Sequence, residues 1–169
     1  MKTSVKLYSM SLKEVHTYLF VLLFVVGNIL LPQLCHFVPG GGHVWLPIYF
    51  FTLIAAYKYG LYVGLLTALL SAIVNSFLFG MPVFAILPVI LSKSILLVGV
   101  AAYAVHRLKR VSFMAILAVI VVYQLLGAAI EGVIMRDFAL AVQHIRIAVP
   151  GMLVQLCGGY LILKSMSRI

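Results

Sequence analysis

The sequence predicts an all-α integral membrane protein: a single bundle of six transmembrane helices with both termini cytoplasmic. Three observations predict it. Of 169 residues, 65% are hydrophobic and only 9% are charged, too little polar surface for a water-soluble domain. The apolar residues form six runs, most of them near the roughly 20 residues that a helix needs to cross a bilayer core. Lys and Arg gather at alternating ends of these runs, the pattern left by cytoplasmic loops.

The first run, about 15–35, is long enough to span. Pro32 and Gln33 stand at its end instead of a small-residue cleavage site, so it reads as a retained span and not as a signal peptide. The second, 45–58, is short, with Lys58 closing it and Gly60 marking a tight turn into the third, 60–79. The fourth, 83–105, contains Pro88, which is expected to kink it. The fifth covers 112–134 and the sixth 146–164. Pro32, Pro47, Pro82 and Pro150 fall at or near run ends, where proline is tolerated. Residues 1–169 are thus expected to form one transmembrane domain.

With six spans, nine of the twelve Lys and Arg share one side: Lys2, Lys6 and Lys13, then Lys58, then Arg107, Lys109 and Arg110, then Lys164 and Arg168. That side is expected to be cytoplasmic. The opposite side has Arg136 and Arg146, and Lys93 lies within a span. The net charge of +9 then reflects these loops and not a nucleic-acid partner. Cys35 and Cys157 lack metal-ligand spacing and are expected to be small buried residues.

Charged groups at membrane depth cost at least ~2.5–3.5 kcal/mol, so each needs a reason. Lys93 is about ten residues into the fourth run, roughly 15 Å deep at 1.5 Å per residue. Glu131 is near the outer end of the fifth, where Gln124, Gly127 and Ala128 share its helical face. Arg146 opens the sixth, followed by a second small and polar face of Gly151, Gln155 and Gly158. These groups form either a structural ion-pair network or a binding site. On the second reading, Lys93 or Arg146 is expected to hold an anionic or electron-rich part of a ligand, balanced by Glu131 in its absence. The first loop contains His36, Gly40, Gly41, Gly42, His43 and Trp45 on the same outer side. Triple glycine changes conformation easily, so the loop is expected to act as a lid, with the histidines as hydrogen-bonding groups and Trp45 as a stacking or belt residue. Two histidines without a carboxylate make no convincing metal site.

In the third run, Gly60, Gly64, Ala68 and Ala72 recur every four residues beside Thr67, Ser71 and Asn75. Small residues on one face allow close helix approach, either within this chain or to a separate membrane subunit. There is no G-x-x-x-x-G-K-[ST] phosphate loop, H-E-x-x-H motif or nucleophile motif, so the chain is not expected to be an enzyme. No pair of inverted repeats like those of alternating-access transporters is evident.

The stretch AYKYGLYVGLLTALLSAIVNSFLFGMP, residues 56–82, resembles the second-to-third span pattern of the substrate-binding S components of energy-coupling factor (ECF) vitamin transporters. In that family a short span ends at a glycine turn, a Gly-rich span follows and a Gly-x-Pro loop closes it. The six-span topology extends the resemblance over nearly the whole chain. It implies a multi-pass protein of the bacterial cytoplasmic (inner) membrane that binds a vitamin or related micronutrient and needs no cofactor of its own. It also implies association with a membrane coupling (T) subunit and two cytoplasmic ATPases, and toppling in the membrane to release substrate. The first loop and the outer ends of the last three spans would form the site; Lys93, Glu131, Arg146, His36, His43, Trp45, Asn75, Gln124 and Gln155 are the polar or aromatic candidates here.

Two departures stand against the family pattern. The first span has only Gly27 where members often carry a small-x-x-x-small pair for docking, so docking would use another face, such as Gly60–Ala72. The chain begins MKTS and not with the Met-His terminus of the nickel and cobalt members, which argues against a metal cargo. The competing class is a structural scaffold of the cell envelope, of the rod-shape-determining type. A scaffold, however, has no use for a lysine inside a span.

Overall fold

The computed structural model describes residues 10–35, 44–109 and 111–166, and of Cys35 only the backbone. His36, Gly40, Gly41, Gly42 and His43, the lid residues expected above, lie outside the described residues. The described residues form six helices and no strands: α1 (Val15–Cys35), α2 (Pro47–Tyr59), α3 (Leu61–Phe79), α4 (Leu87–Leu108), α5 (Phe113–Met135) and α6 (Phe138–Met166). Five are long and apolar enough to cross a membrane; α2, with 13 residues, is not.

The short helix is the centre of the fold. It packs against α1, α3, α4 and α6, while α5 joins α4 to α6. Ten of its 13 residues are buried, and a helix that is apolar on every side is stable only when surrounded. The long helices hide one stripe each and leave many large apolar side chains exposed. On α1 they include Val15, Leu19, Leu22, Val26 and Leu30, spaced by three or four residues, a face suited to hydrocarbon. Cys157, expected to be buried, is also exposed.

One end of the bundle is fixed by backbone contacts. The Met10 N–H donates to Tyr59 O (3.3 Å), and Lys58 Nζ donates to Met166 O (2.7 Å). The start of α1, the end of α2 and the end of α6 therefore meet there, and Lys13, Lys58 and Lys164 belong to this basic end. Between α2 and α3, Gly60 turns the chain with φ 94° while its N–H caps Ala56 O at 3.2 Å. Positive φ favours glycine.

Small residues then let α3 close on α2. A Cβ on Gly64 would lie 2.9 Å from Ala56 Cα and 2.9 Å from Val98 Cγ1. Ala68 and Ala72, further along the stripe, are fully buried. Gly64, Ala68 and Ala72 are thus taken up by packing within the chain, the first of the two readings of this stripe, and they leave no free surface for another subunit; Gly60 is half-buried.

Several boundaries also differ from the sequence reading. Residues 83–86 form a turn in which Val83 O accepts from the N–H groups of Ile86 (2.9 Å) and Leu87 (3.2 Å). Since α4 starts only at Leu87, Pro88 occupies its first turn and removes no helical hydrogen bond; the expected interior kink has no cause. The last helix begins at Phe138 and not at 146, because Asp137 Oδ1 caps it by accepting from the Leu140 N–H at 2.9 Å. Pro32 and Pro150, expected near span ends, are inside α1 and α6.

If α2 and α3 depend on this close approach, Gly64→Val will destabilise the protein by about 1–3 kcal/mol through overpacking. Gly99 has nothing within 4 Å of its would-be Cβ, so Gly99→Ala will melt at the wild-type temperature or above. Thermal melts of the purified protein in detergent compare them; equal melting of Gly64→Val and wild type would contradict the packing.

Candidate functional site

A 13-residue helix reaches only about 20 Å, against roughly 30 Å of hydrocarbon core. The long helices continue past the start of α2, and a cavity of about 410 Å³ occupies the space that α2 leaves. Its floor is Leu46, Pro47, Ile48 and Tyr49. Pro32 and Gln33 of α1, Asn75 of α3 and the Met81–Val83 connection form one side. Val89, Ile90 and Lys93 of α4, Gln124 and Glu131 of α5, and His144, Ile147 and Ala148 of α6 form the other. The size suits a small organic molecule.

The floor is held from below. Leu46 takes a left-handed conformation (φ 49°) ahead of Pro47, which starts the helix without needing an N–H. Leu46 O accepts from the Tyr49 N–H (3.1 Å) and from Gln155 Nε2 (3.5 Å). Gln155 Oε1 in turn accepts from the Tyr123 hydroxyl at 3.0 Å. Gln155, expected to bind substrate, is thus a strut beneath the floor and does not line the cavity. Gly151 lets the chain before α2 pass close, since a Cβ there would meet the Val44 and Trp45 backbone within 2.7 Å.

The wall between α4, α5 and α6 is charged. Lys93 Nζ donates to Glu131 Oε2 at 2.5 Å, and His144 Nδ1 lies 2.6 Å from Glu131 Oε1. An ionised carboxylate only accepts, so the imidazole presents Nδ1–H to it. Gly127, one turn before Glu131, makes room for the lysine: a Cβ would sit 2.7 Å from Lys93 Cγ. Lys93 is the seventh residue of α4, about 9 Å from its start, and so is shallower than the sequence suggested. Its buried charge is tolerable because it is paired with the buried Glu131 carboxylate.

The opposite wall carries an uncharged polar cluster. Pro32 has no N–H, so Asn28 O lacks its helical donor. Asn75 Nδ2 supplies one at 3.0 Å and also donates to Ser71 O at 2.8 Å. Both acceptors are carbonyls, which settles the orientation of the Asn75 amide. Asn28 Nδ2 reaches Thr52 Oγ1 (3.1 Å) and Ser71 Oγ (3.0 Å). These bonds tie α1, α2 and α3 together beside the cavity.

Of the sequence candidates, Lys93, Glu131, Asn75 and Gln124 converge on one cavity. Arg146 does not; it is exposed, because it points away from the face of α6 that carries His144 and Ala148. Trp45 is also exposed and contributes no lining. His144 and Tyr49 were missed. His144 continues the series Gly151 and Gln155 backwards by helical steps through Ala148, a signal hidden by starting the helix at 146.

Comparison of the chain with protein-family models, with curated proteins and with solved structures gives no match. A functional reading therefore rests on the cavity and its walls.

The buried pair yields an uneven mutational pattern. Glu131→Gln strands the Lys93 cation and will cost about 3 kcal/mol, whereas Lys93→Met combined with Glu131→Gln will fall within about 1 kcal/mol of wild type. Unfolding of the purified variants, analysed as a double-mutant cycle, measures this. Simple additivity of the two single losses would contradict a tight pair.

Proposed function

We propose that this chain is the high-affinity substrate-binding membrane subunit of an ECF-type importer for a vitamin or related micronutrient. The observation that carries the reading is the cavity above α2. It is large enough for a small molecule and mostly apolar, with polar groups at a few fixed points, as ligand pockets are. A structural scaffold would have no need of such a space, nor of a buried Lys–Glu pair joined by a half-buried histidine along its wall.

Orientation supports the same reading. The cavity lies toward the end opposite Lys13, Lys58, Arg107, Lys109 and Lys164. The positive-inside tendency puts those residues in the cytoplasm, so the cavity faces outward, as an importer's receptor site must, in the bacterial cytoplasmic membrane. With no phosphate-loop motif in the sequence, transport energy would come from partners: a membrane coupling subunit and two cytoplasmic ATPases. Their docking face would lie elsewhere than Gly64, Ala68 and Ala72, which the chain itself covers.

Two measurements test this. Single cysteines at positions 137 and 109, in a background lacking Cys35 and Cys157, will be labelled from outside intact cells at 137 and not at 109. The tagged chain, extracted gently from its native membrane, will bring down a membrane subunit and two ATPases and will hydrolyse no ATP alone. Recovery of cell-wall synthesis proteins without any ATPase would replace this reading with the scaffold.

A further inference from the structure

Two tyrosines meet at the floor of the cavity, with ring centroids 5.8 Å apart, and their hydroxyls are treated differently. Tyr123 is fully buried and donates to Gln155 Oε1 at 3.0 Å. Tyr49 stands in the first turn of α2, where that helix gives out, and lines the cavity. Its backbone N–H donates to Leu46 O, but its hydroxyl has no hydrogen-bond partner among the described residues. Nor is that hydroxyl sealed. The polar side-chain atoms that combine no partner with no access are Asn28 Oδ1, Thr67 Oγ1, Asn75 Oδ1, Ser94 Oγ and Gln124 Nε2; Tyr49 Oη is not among them and keeps accessible surface. The residue is only 5% exposed, and α2 is enclosed by α1, α3, α4 and α6. What surface it keeps therefore faces the cavity.

A phenol shares its lone pair with the ring and is a better donor than acceptor. Water in the open cavity can satisfy it. An apolar molecule that displaces the water without offering an acceptor would strand a buried hydroxyl, which is costly. The charges of the lining constrain the same end of the ligand. Both Glu131 oxygens are engaged, Oε2 by Lys93 and Oε1 by His144. A cation entering the cavity would meet Lys93 and no uncommitted carboxylate among the lining residues.

Resting on the solute-binding reading above, we infer that Tyr49 is a ligand-binding residue: its hydroxyl donates to an oxygen or ring-nitrogen acceptor at the inserted end of an otherwise apolar ligand that carries no cation there. The apolar body lies against Ile48, Val89, Ile90 and Ile147, which complete the lining around it.

The test is Tyr49→Phe, which keeps the ring against Tyr123 and removes one oxygen. Protein purified from cells grown in rich medium is diluted into ligand-free buffer, and the small molecule it retains is followed over time by mass spectrometry. Wild type will carry a molecule with such an acceptor. Tyr49→Phe will release it about tenfold faster, the worth of roughly one hydrogen bond expressed in the dissociation rate. The variant will keep wild-type helix content and elution, neither of which depends on bound ligand, because the hydroxyl supports nothing in the protein. Equal release rates, a bound molecule whose polar groups are all cationic, or loss of helix content in Tyr49→Phe overturns this inference and leaves the solute-binding reading intact. A wild-type protein that carries no small molecule overturns both.

Discussion

The length of α2 is the constraint on which the rest depends. Thirteen residues cannot match helices of 19 to 29, so among the described residues a bundle built around α2 is filled at one level and leaves a cavity at the next. Where α2 is present, the fold is dry and close-packed: Leu53, Ile54, Ala55, Ala56 and Tyr57 are essentially inaccessible. Where it is absent, the facing walls cannot collapse, because α1, α3, α4 and α6 are already fixed by their packing on α2 below and α5 by its packing on α4 and α6. The cavity follows from mismatched lengths and needs no special residue to create it.

What the walls then carry is chemistry that a membrane interior would otherwise reject. Lys93 and Glu131 are tolerated as a pair, with His144 as the third member and Gly127 clearing the path of the lysine stem. Across the cavity, the carbonyl that Pro32 leaves bare is served by Asn75, so a helix defect fixes the direction of a lining side chain. One wall is charged and internally matched; the other is neutral and only partly satisfied. That asymmetry distinguishes the site from a simple packing void, which would be apolar throughout.

Much of this was legible in the sequence. Six helices, the short second one and the glycine turn at Gly60 followed from apolar run lengths. The shared face of Gln124, Gly127 and Glu131 followed from helical spacing, and Lys93 stood out because an intramembrane charge is expensive. The errors came where local chemistry outweighs hydropathy. Asp137 caps α6 so that it starts at Phe138, eight residues before the apolar run at 146, and that shift hid His144 and promoted Arg146. Gln155 is polar and inward-facing, as inferred, but whether such a residue lines a space or braces its floor depends on where α2 begins. The Gly60–Ala72 spacing announces close approach without naming the partner, and at Gly64 the partners are α2 and α4.

The account's central claim is that the space above α2 is a binding site. Ala148 is buried on the cavity wall, whereas Val149 beside it is exposed on the outer face of α6. The direct measurement is the amount of small molecule held per protein, by mass spectrometry, in Ala148→Phe and Val149→Phe. The account predicts that both fold, that Val149→Phe holds as much as wild type and that Ala148→Phe, whose ring enters the cavity, holds little or none. An undiminished load in folded Ala148→Phe would contradict it.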